Sequence, residues 1–233
     1  MDQAALQRRL ATLGYYHGAI DGAFEDKSKA ALLTCLTDGP DYAINAGDIA
    51  MAAKDLAVEP AKVWAVYDVE AAGDAFIDGR PAILFEPHRF SRSTDHRYDA
   101  SHPRLSSRTW NRKLYPGSQD GRWRQLLDAV ALDVDAGFMS ASYGAFQILG
   151  ENFDVCGAPD AWSFAWRQSR TEGDQLDAFI AFVAGRGLKR ALQAISADPA
   201  TCKPFADGYN GTASALNRYA EKIAAAYAKR WAA

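Results

Sequence analysis

The chain has 233 residues, a formal net charge of −3 and 48% hydrophobic residues. That is long enough for one large domain plus a small one, with the composition of an ordinary soluble globular protein. No segment reaches the roughly 18 consecutive apolar residues of a membrane span, and the slightly acidic balance argues against a general nucleic-acid binder.

The N-terminus, Met1-Asp2-Gln3, has no basic start and no apolar stretch after it. This predicts synthesis in the cytoplasm without a signal peptide. Leu6, Leu10 and Leu13 mark one helix face, ended by Gly14. A turn-rich loop follows, then a second amphipathic helix with Asp26 as its cap and Ala30, Leu33 and Leu36 on its inner face. Asp38-Gly39-Pro40-Asp41 reads as a linker. Beyond it, Ile49, Ala52, Ala53 and Leu56 keep helical spacing. They lead into a helix that starts at Pro60, carries Val63, Val66 and Tyr67, and stops near Gly73. Ala75 to Phe85 reads as a hairpin turned at Asp78-Gly79. A polar stretch over about 91–120 is expected to be irregular. Its basic run, Arg104, Arg108, Arg112 and Lys113, is first a solvated surface and second a contact for an anionic polymer. Trp123, Leu126, Leu127, Val130, Val134 and Phe138 form a buried helix face, and further helices fall around 175–184 and 217–231. The cysteines, 35, 156 and 202, lack CxxC spacing and read as free, buried thiols.

Glu70 carries the most chemical information. The Pro60 helix places it in the last turn beside apolar side chains. There desolvation and the negative end of the helix dipole both disfavour a carboxylate. A carboxylic acid kept protonated near neutral pH can protonate the leaving oxygen of a glycosidic bond. Downstream, Ser140-Ala141-Ser142-Tyr143-Gly144-Ala145-Phe146-Gln147-Ile148 offers a sharp turn that would aim Ser142, Tyr143 and Gln147 at a cleft. Phe205 to Gly211 offers the Tyr209 hydroxyl and the Asn210 amide for sugar hydroxyls and N-acetyl groups. Glu86 shares a strand face with Leu84, opposite Ile83 and Phe85. It is a possible second carboxylate, and the favoured alternative is a structural ion pair with Arg80 or Arg89.

Two stretches resemble known families. Leu6-Gln7-Arg8-Arg9-Leu10, Leu13-Gly14-Tyr15-Tyr16, Gly18-Ala19-Ile20-Asp21-Gly22-Ala23-Phe24 and Ala30-Ala31-Leu32 are similar to the peptidoglycan-binding type 1 module, with Glu25 and Ser28 where Gly and Thr are usual. Three pieces resemble the phage-type N-acetylmuramidase domain of the lysozyme superfamily. They are Val69-Glu70 through Gly79-Arg80-Pro81-Ala82-Ile83-Leu84-Phe85-Glu86-Pro87-His88-Arg89-Phe90, then Ser142 through Gly150, then Tyr209-Asn210-Gly211. Ala71-Ala72 and Tyr143 depart from that pattern, where Ser and Trp are common. The resemblance implies a mainly α fold: a small three-helix module over residues 1–40, then a lysozyme-like α+β domain with a short β-hairpin over 46–233. It implies Glu70 as the catalytic acid, Ser142, Tyr143, Gln147, Tyr209 and Asn210 as sugar-positioning residues, and Tyr16, Asp21 and Phe24 as marks of the wall-binding module. It implies bacterial peptidoglycan as the partner, no cofactor, no metal and a monomer, in the layout of a modular endolysin that reaches the wall after release.

Other classes fit the residues less well. Glu86, His88, His96 and His102 are metal-type ligands, but their spacing matches no compact zinc motif. Cys156 and Cys202 lack a nearby His for thiol catalysis. A non-catalytic wall-binding protein and a lytic transglycosylase, which would leave 1,6-anhydro ends, are the remaining alternatives.

Overall fold

The structure, a computed structural model, describes residues 1–71, 74–211 and 214–232. Helices dominate: α1 Gln3–Thr12, α2 Asp26–Cys35, α3 Ala46–Leu56, α4 Pro60–Glu70, α5 Pro87–Ser93, α6 Gln119–Leu132, α7 Val134–Met139, α8 Ala161–Gln168, α9 Glu172–Gly185, α10 Lys189–Ala194, α11 Pro199–Asn210 and α12 Tyr219–Trp231. The strands are β1 Phe76–Ile77, β2 Arg80–Pro81, β3 Ile83–Phe85, β4 Ala141–Tyr143 and β5 Ile148–Leu149. The mainly α class expected from the sequence is what forms.

Local chemistry explains most of these elements. Pro60 sits in the first turn of α4, where its missing N–H costs nothing, and Val63, Ala65 and Val66 form its buried side. Asn45 and Asp48 close a reciprocal capping box on α3. Asp78 (φ 54°) and Gly79 (φ 71°) both take the left-handed region, as a two-residue type I′ turn requires, and β1 pairs antiparallel with β2 across them. The hairpin ends sooner than expected. Ile83–Phe85 leaves it and pairs instead with Ala141–Tyr143, which in turn pairs with Ile148–Leu149. Gly73, the expected stop of α4, lies outside the described residues.

Some expectations need correction. Residues 1–40 hold two helices rather than three. Leu13 caps α1 and is exposed, and Ala30 is exposed as well; Ser28, Ala31, Leu32 and Cys35 form the buried side of α2. Glu25 is the N-cap of α2 and Asp26 its first residue, with no side-chain cap. The stripe from Trp123 to Phe138 is buried as expected but belongs to two helices. They break at Asp133, whose carboxylate accepts the Ala136 N–H and so starts α7. Helices α5, α8, α10 and α11 add to those expected from the sequence.

The N-terminal segment is packed onto the rest. The Met1 ammonium pairs with Asp135, Lys29 reaches Asp128 at 2.5 Å, and Arg9 reaches Asp160 at 2.7 Å while lying over Trp162. The expected linker is pinned: Arg170 donates to the Asp38 carbonyl at 2.9 Å, and Asp41 donates to the Arg170 carbonyl. At the other end, α12 packs along α4 and α11, and Arg230 grips Asp68 with two nitrogens while covering Trp64.

Candidate active site

Three helix ends converge on Glu70. It is the last residue of α4, Asn210 is the last of α11, and Tyr219 opens α12. The Asn210 amide donates to the Glu70 carboxyl at 3.1 Å, a contact between residues 140 apart in sequence. Burial pushes the Glu70 carboxyl up from an ordinary 4.5 to about 7, against opposition from the Asn210 hydrogen bond and then the Lys222 ammonium. Glu70 raises Tyr219 in turn: its hydroxyl is pushed to about 12, chiefly by burial and then by the neighbouring carboxyl. Tyr219 and Lys222 were not singled out from the sequence. They lie on a remote helix, and nothing local marks them.

The turn between β4 and β5 forms the adjoining wall. Gly144 takes φ 68°, and a Cβ there would strike the Gln175 side chain at 2.3 Å. Gln175 is fully buried and accepts the Ala145 N–H at 2.7 Å, which fixes the turn. Ser142 donates to Gln147 at 2.9 Å, and the Gln147 amide donates to the carbonyls of Gly144 and Ala82. Gln147 is half-buried, but Ser142 is buried and its hydroxyl is taken by Gln147, so the expected sugar contact of Ser142 becomes a support for Gln147.

Two further expected sugar contacts are placed elsewhere. Tyr143 is fully buried, its hydroxyl donates to the Phe138 carbonyl at 3.0 Å, and its ring meets Phe164 edge-on. Tyr209 stacks on Phe205, and its hydroxyl donates to the Phe146 carbonyl at 2.7 Å. Both side chains hold the frame. Tyr209 ties α11, and with it Asn210, to the turn that carries Gln147.

Glu86 is the N-cap residue of α5 and half-buried. Its carboxyl lies 3.2 Å from His88 Nε2 and 3.8 Å from Arg89 Nε. Burial raises its pKa, with Arg89 opposing. Burial, then the positive charge of Arg89 and Arg92, lowers the His88 pKa below its usual value. Arg80 pairs with Asp120 instead, and Arg89 makes its shorter contact with Glu151. Because Arg89 keeps Glu151 as a partner, Glu86→Gln leaves no stranded cation. The change is expected to cost no more than about 1 kcal/mol, or roughly 3 °C in Tm. A drop near 10 °C in a thermal melt would show that Glu86 is the main counter-ion after all.

The other singled-out residues have separate settings. His96 contacts Ser91 and Asp99, and His102 contacts Ser101. Cys35, Cys156 and Cys202 are buried free thiols, and burial raises the first two to about 11, far from the range of a ready nucleophile. In the N-terminal segment, Tyr16 and Phe24 are buried and the Asp21 carboxylate accepts from Gln7 and from the Ala23 N–H. The fully buried Gln7 organises that loop: its amide donates to Asp21, Ser28 and the Ala23 carbonyl, and its oxygen accepts the N–H groups of Asp21 and Gly22.

Glu70 is thus a half-buried carboxyl at a helix end whose pKa burial raises to about 7. Residues 59–231 match the N-acetylmuramidase family. The chain belongs to that family. It is a peptidoglycan hydrolase of the lysozyme type, and its substrate is the bacterial cell wall. No curated protein matches this muramidase. Among solved structures it is similar to the crystal structure of the Burkholderia AP3 phage endolysin, with 28% identity, a TM-score of 0.72, and coverage of 98% of this chain and 94% of that one. Among the described residues no helix is long and apolar enough to cross a membrane.

Proposed function

We propose that this muramidase is a phage endolysin that hydrolyses the β-1,4 bond between N-acetylmuramic acid and N-acetylglucosamine, with Glu70 as the general acid. The observation that carries the reading is the Glu70 carboxyl, pushed up to about 7 and held by Asn210 at the end of α4. Such a group is half protonated near neutral pH. It can donate to the leaving oxygen and then, as a carboxylate, draw a proton from the attacking water. Gln147 and Asn210 present side-chain amides that suit sugar hydroxyls and N-acetyl groups, and the buried Ser142 orients Gln147. Tyr143 and Tyr209 support this wall from behind and are left out of the substrate contacts. Glu86 is tied to His88 and Arg89, which favours a structural role.

Residues 1–40 act in this reading as a wall-binding module that feeds polymer to the catalytic domain of 46–233. A groove of about 430 Å³ lined by Tyr16, Gly18, Asp21, Ala23 and Lys27 supports that reading, as does the similarity over the whole length to an endolysin. The protein is made in the cytoplasm, works as a monomer and meets the wall after release.

Mass spectrometry of digested, purified peptidoglycan in ¹⁸O-labelled water tests the reaction. Hydrolysis gives reducing muramic ends that carry one heavy oxygen. Unlabelled 1,6-anhydromuramic ends would make the enzyme a lytic transglycosylase, and glucosamine reducing ends would overturn the bond assignment.

A further inference from the structure

The basic run at 104–113 is exposed, as expected, and two of its residues line a concave surface. The segment around Arg104 and the one around Lys113 close against the middle of α6, leaving a groove of about 730 Å³. Arg104, Lys113 and Arg124 line it and are exposed. None of the three forms an ion pair among the described residues, and the groove's own acid, Asp128, is already taken by Lys29. Gln125 lies buried at the base. Its amide donates to the Arg104 carbonyl at 3.1 Å and the Leu114 carbonyl at 2.8 Å, which fixes both walls. The Gln125 side-chain oxygen is buried and has no donor among the described residues, so Gln125 serves the groove by holding its walls.

One wall of the groove touches the Glu86 cluster. Tyr115 forms one wall, and its hydroxyl lies 3.4 Å from His88, the residue that contacts Glu86. Beside Tyr115, with ring centroids 6.0 Å apart, stands Trp110, which is 63% exposed and offers an open apolar face.

We propose that this groove holds the peptide branches of the glycan strand being cleaved, reading their carboxylates with Arg104, Lys113 and Arg124. The inference rests on the muramidase reading and adds a preference to it. Muramic acid carries its peptide through a lactyl ether, so a strand lying in the cleft presents carboxylate-bearing branches beside it. Unpaired cations on a concave surface suit such branches, and guanidinium forks suit carboxylates in particular. An uncharged glycan stripped of peptides would gain nothing there.

The test compares peptide-bearing strands with the same strands denuded by an amidase, using the full chain. Wild type is expected to show a lower KM on the peptide-bearing substrate. In the Arg104→Ala/Lys113→Ala/Arg124→Ala variant, KM on that substrate should rise about five- to tenfold, the sum expected for three partly screened charge contacts, while kcat changes less than twofold. A second measurement needs no variant: raising salt should raise the wild-type KM on peptide-bearing strands and leave that on denuded strands nearly unchanged. Equal KM values for the two substrates, or an equal response to salt, would overturn the groove assignment. Failure of wild type to cleave either strand would instead overturn the muramidase reading on which it rests.

Discussion

Glu70→Gln is expected to reduce turnover on purified peptidoglycan by about 10²–10⁴-fold, the usual cost of losing a general acid. It is also expected to make the protein more stable. Glutamine is nearly isosteric and keeps a partner for Asn210, yet it never carries the buried charge. The Glu70 pKa is about 7 in the fold against an ordinary 4.5, so the folded state holds its proton over a pH range where the unfolded chain has lost it. Stability contributed by the protonated carboxyl is therefore full below pH 4.5 and is lost as pH rises towards 7. The variant escapes that loss, which amounts to as much as about 3 kcal/mol at pH 8. Denaturant titrations at pH 4 and pH 8 check this, with a gap between the proteins expected only at the higher pH. Retention of more than about a tenth of the wild-type rate, well outside that range, would remove Glu70 from the reaction.

Deleting residues 1–40 is expected to weaken pelleting with insoluble wall and to lower Tm by about 10 °C. The second effect follows from packing. Removing α1 and α2 uncovers Trp162, which Arg9 overlies, and the face of α6 that α2 covers. It also strips Asp128, Asp135 and Asp160 of their cations. Burying one large apolar side chain is worth about 1.5–3 kcal/mol, so a loss of roughly 4 kcal/mol is reasonable, and for a chain of this size that corresponds to about 10 °C. A truncation that pellets with wall as well as the full chain does would refute the binding role. One that melts at the wild-type temperature would refute the packing account.

Much of the architecture is legible because short-range signals specify it. Pro60 starts α4, Asp78-Gly79 turns the hairpin, and the apolar stripe from Trp123 to Phe138 is buried. The sequence also places Glu70 at a helix end, where the structure finds it. What it misses depends on long-range packing. Tyr143 looks like a cleft residue because it adjoins the sharp Gly144 turn, yet β4 is buried on both faces. Tyr209 has a hydroxyl suited to sugars, but the Phe146 carbonyl, 63 residues away, takes it. Asn210 reaches Glu70 only because α11 and α12 fold back onto α4, which also brings up Tyr219 and Lys222. The break at Asp133 was readable in principle, since Asp is a good N-cap, but the unbroken apolar stripe masked it.

The protonation state of Glu70 is the most direct test of this account. A ¹³C NMR titration of protein labelled at glutamate carboxyls, with the Glu70 resonance assigned by its loss in Glu70→Gln, reads it without turnover. A midpoint near 7 is expected, and the fall of kcat/KM above neutral pH should follow the same midpoint as the acid loses its proton. A midpoint near 4.5, the ordinary value for a solvated glutamate, would contradict the account, because the carboxyl would then hold no proton to give at neutral pH.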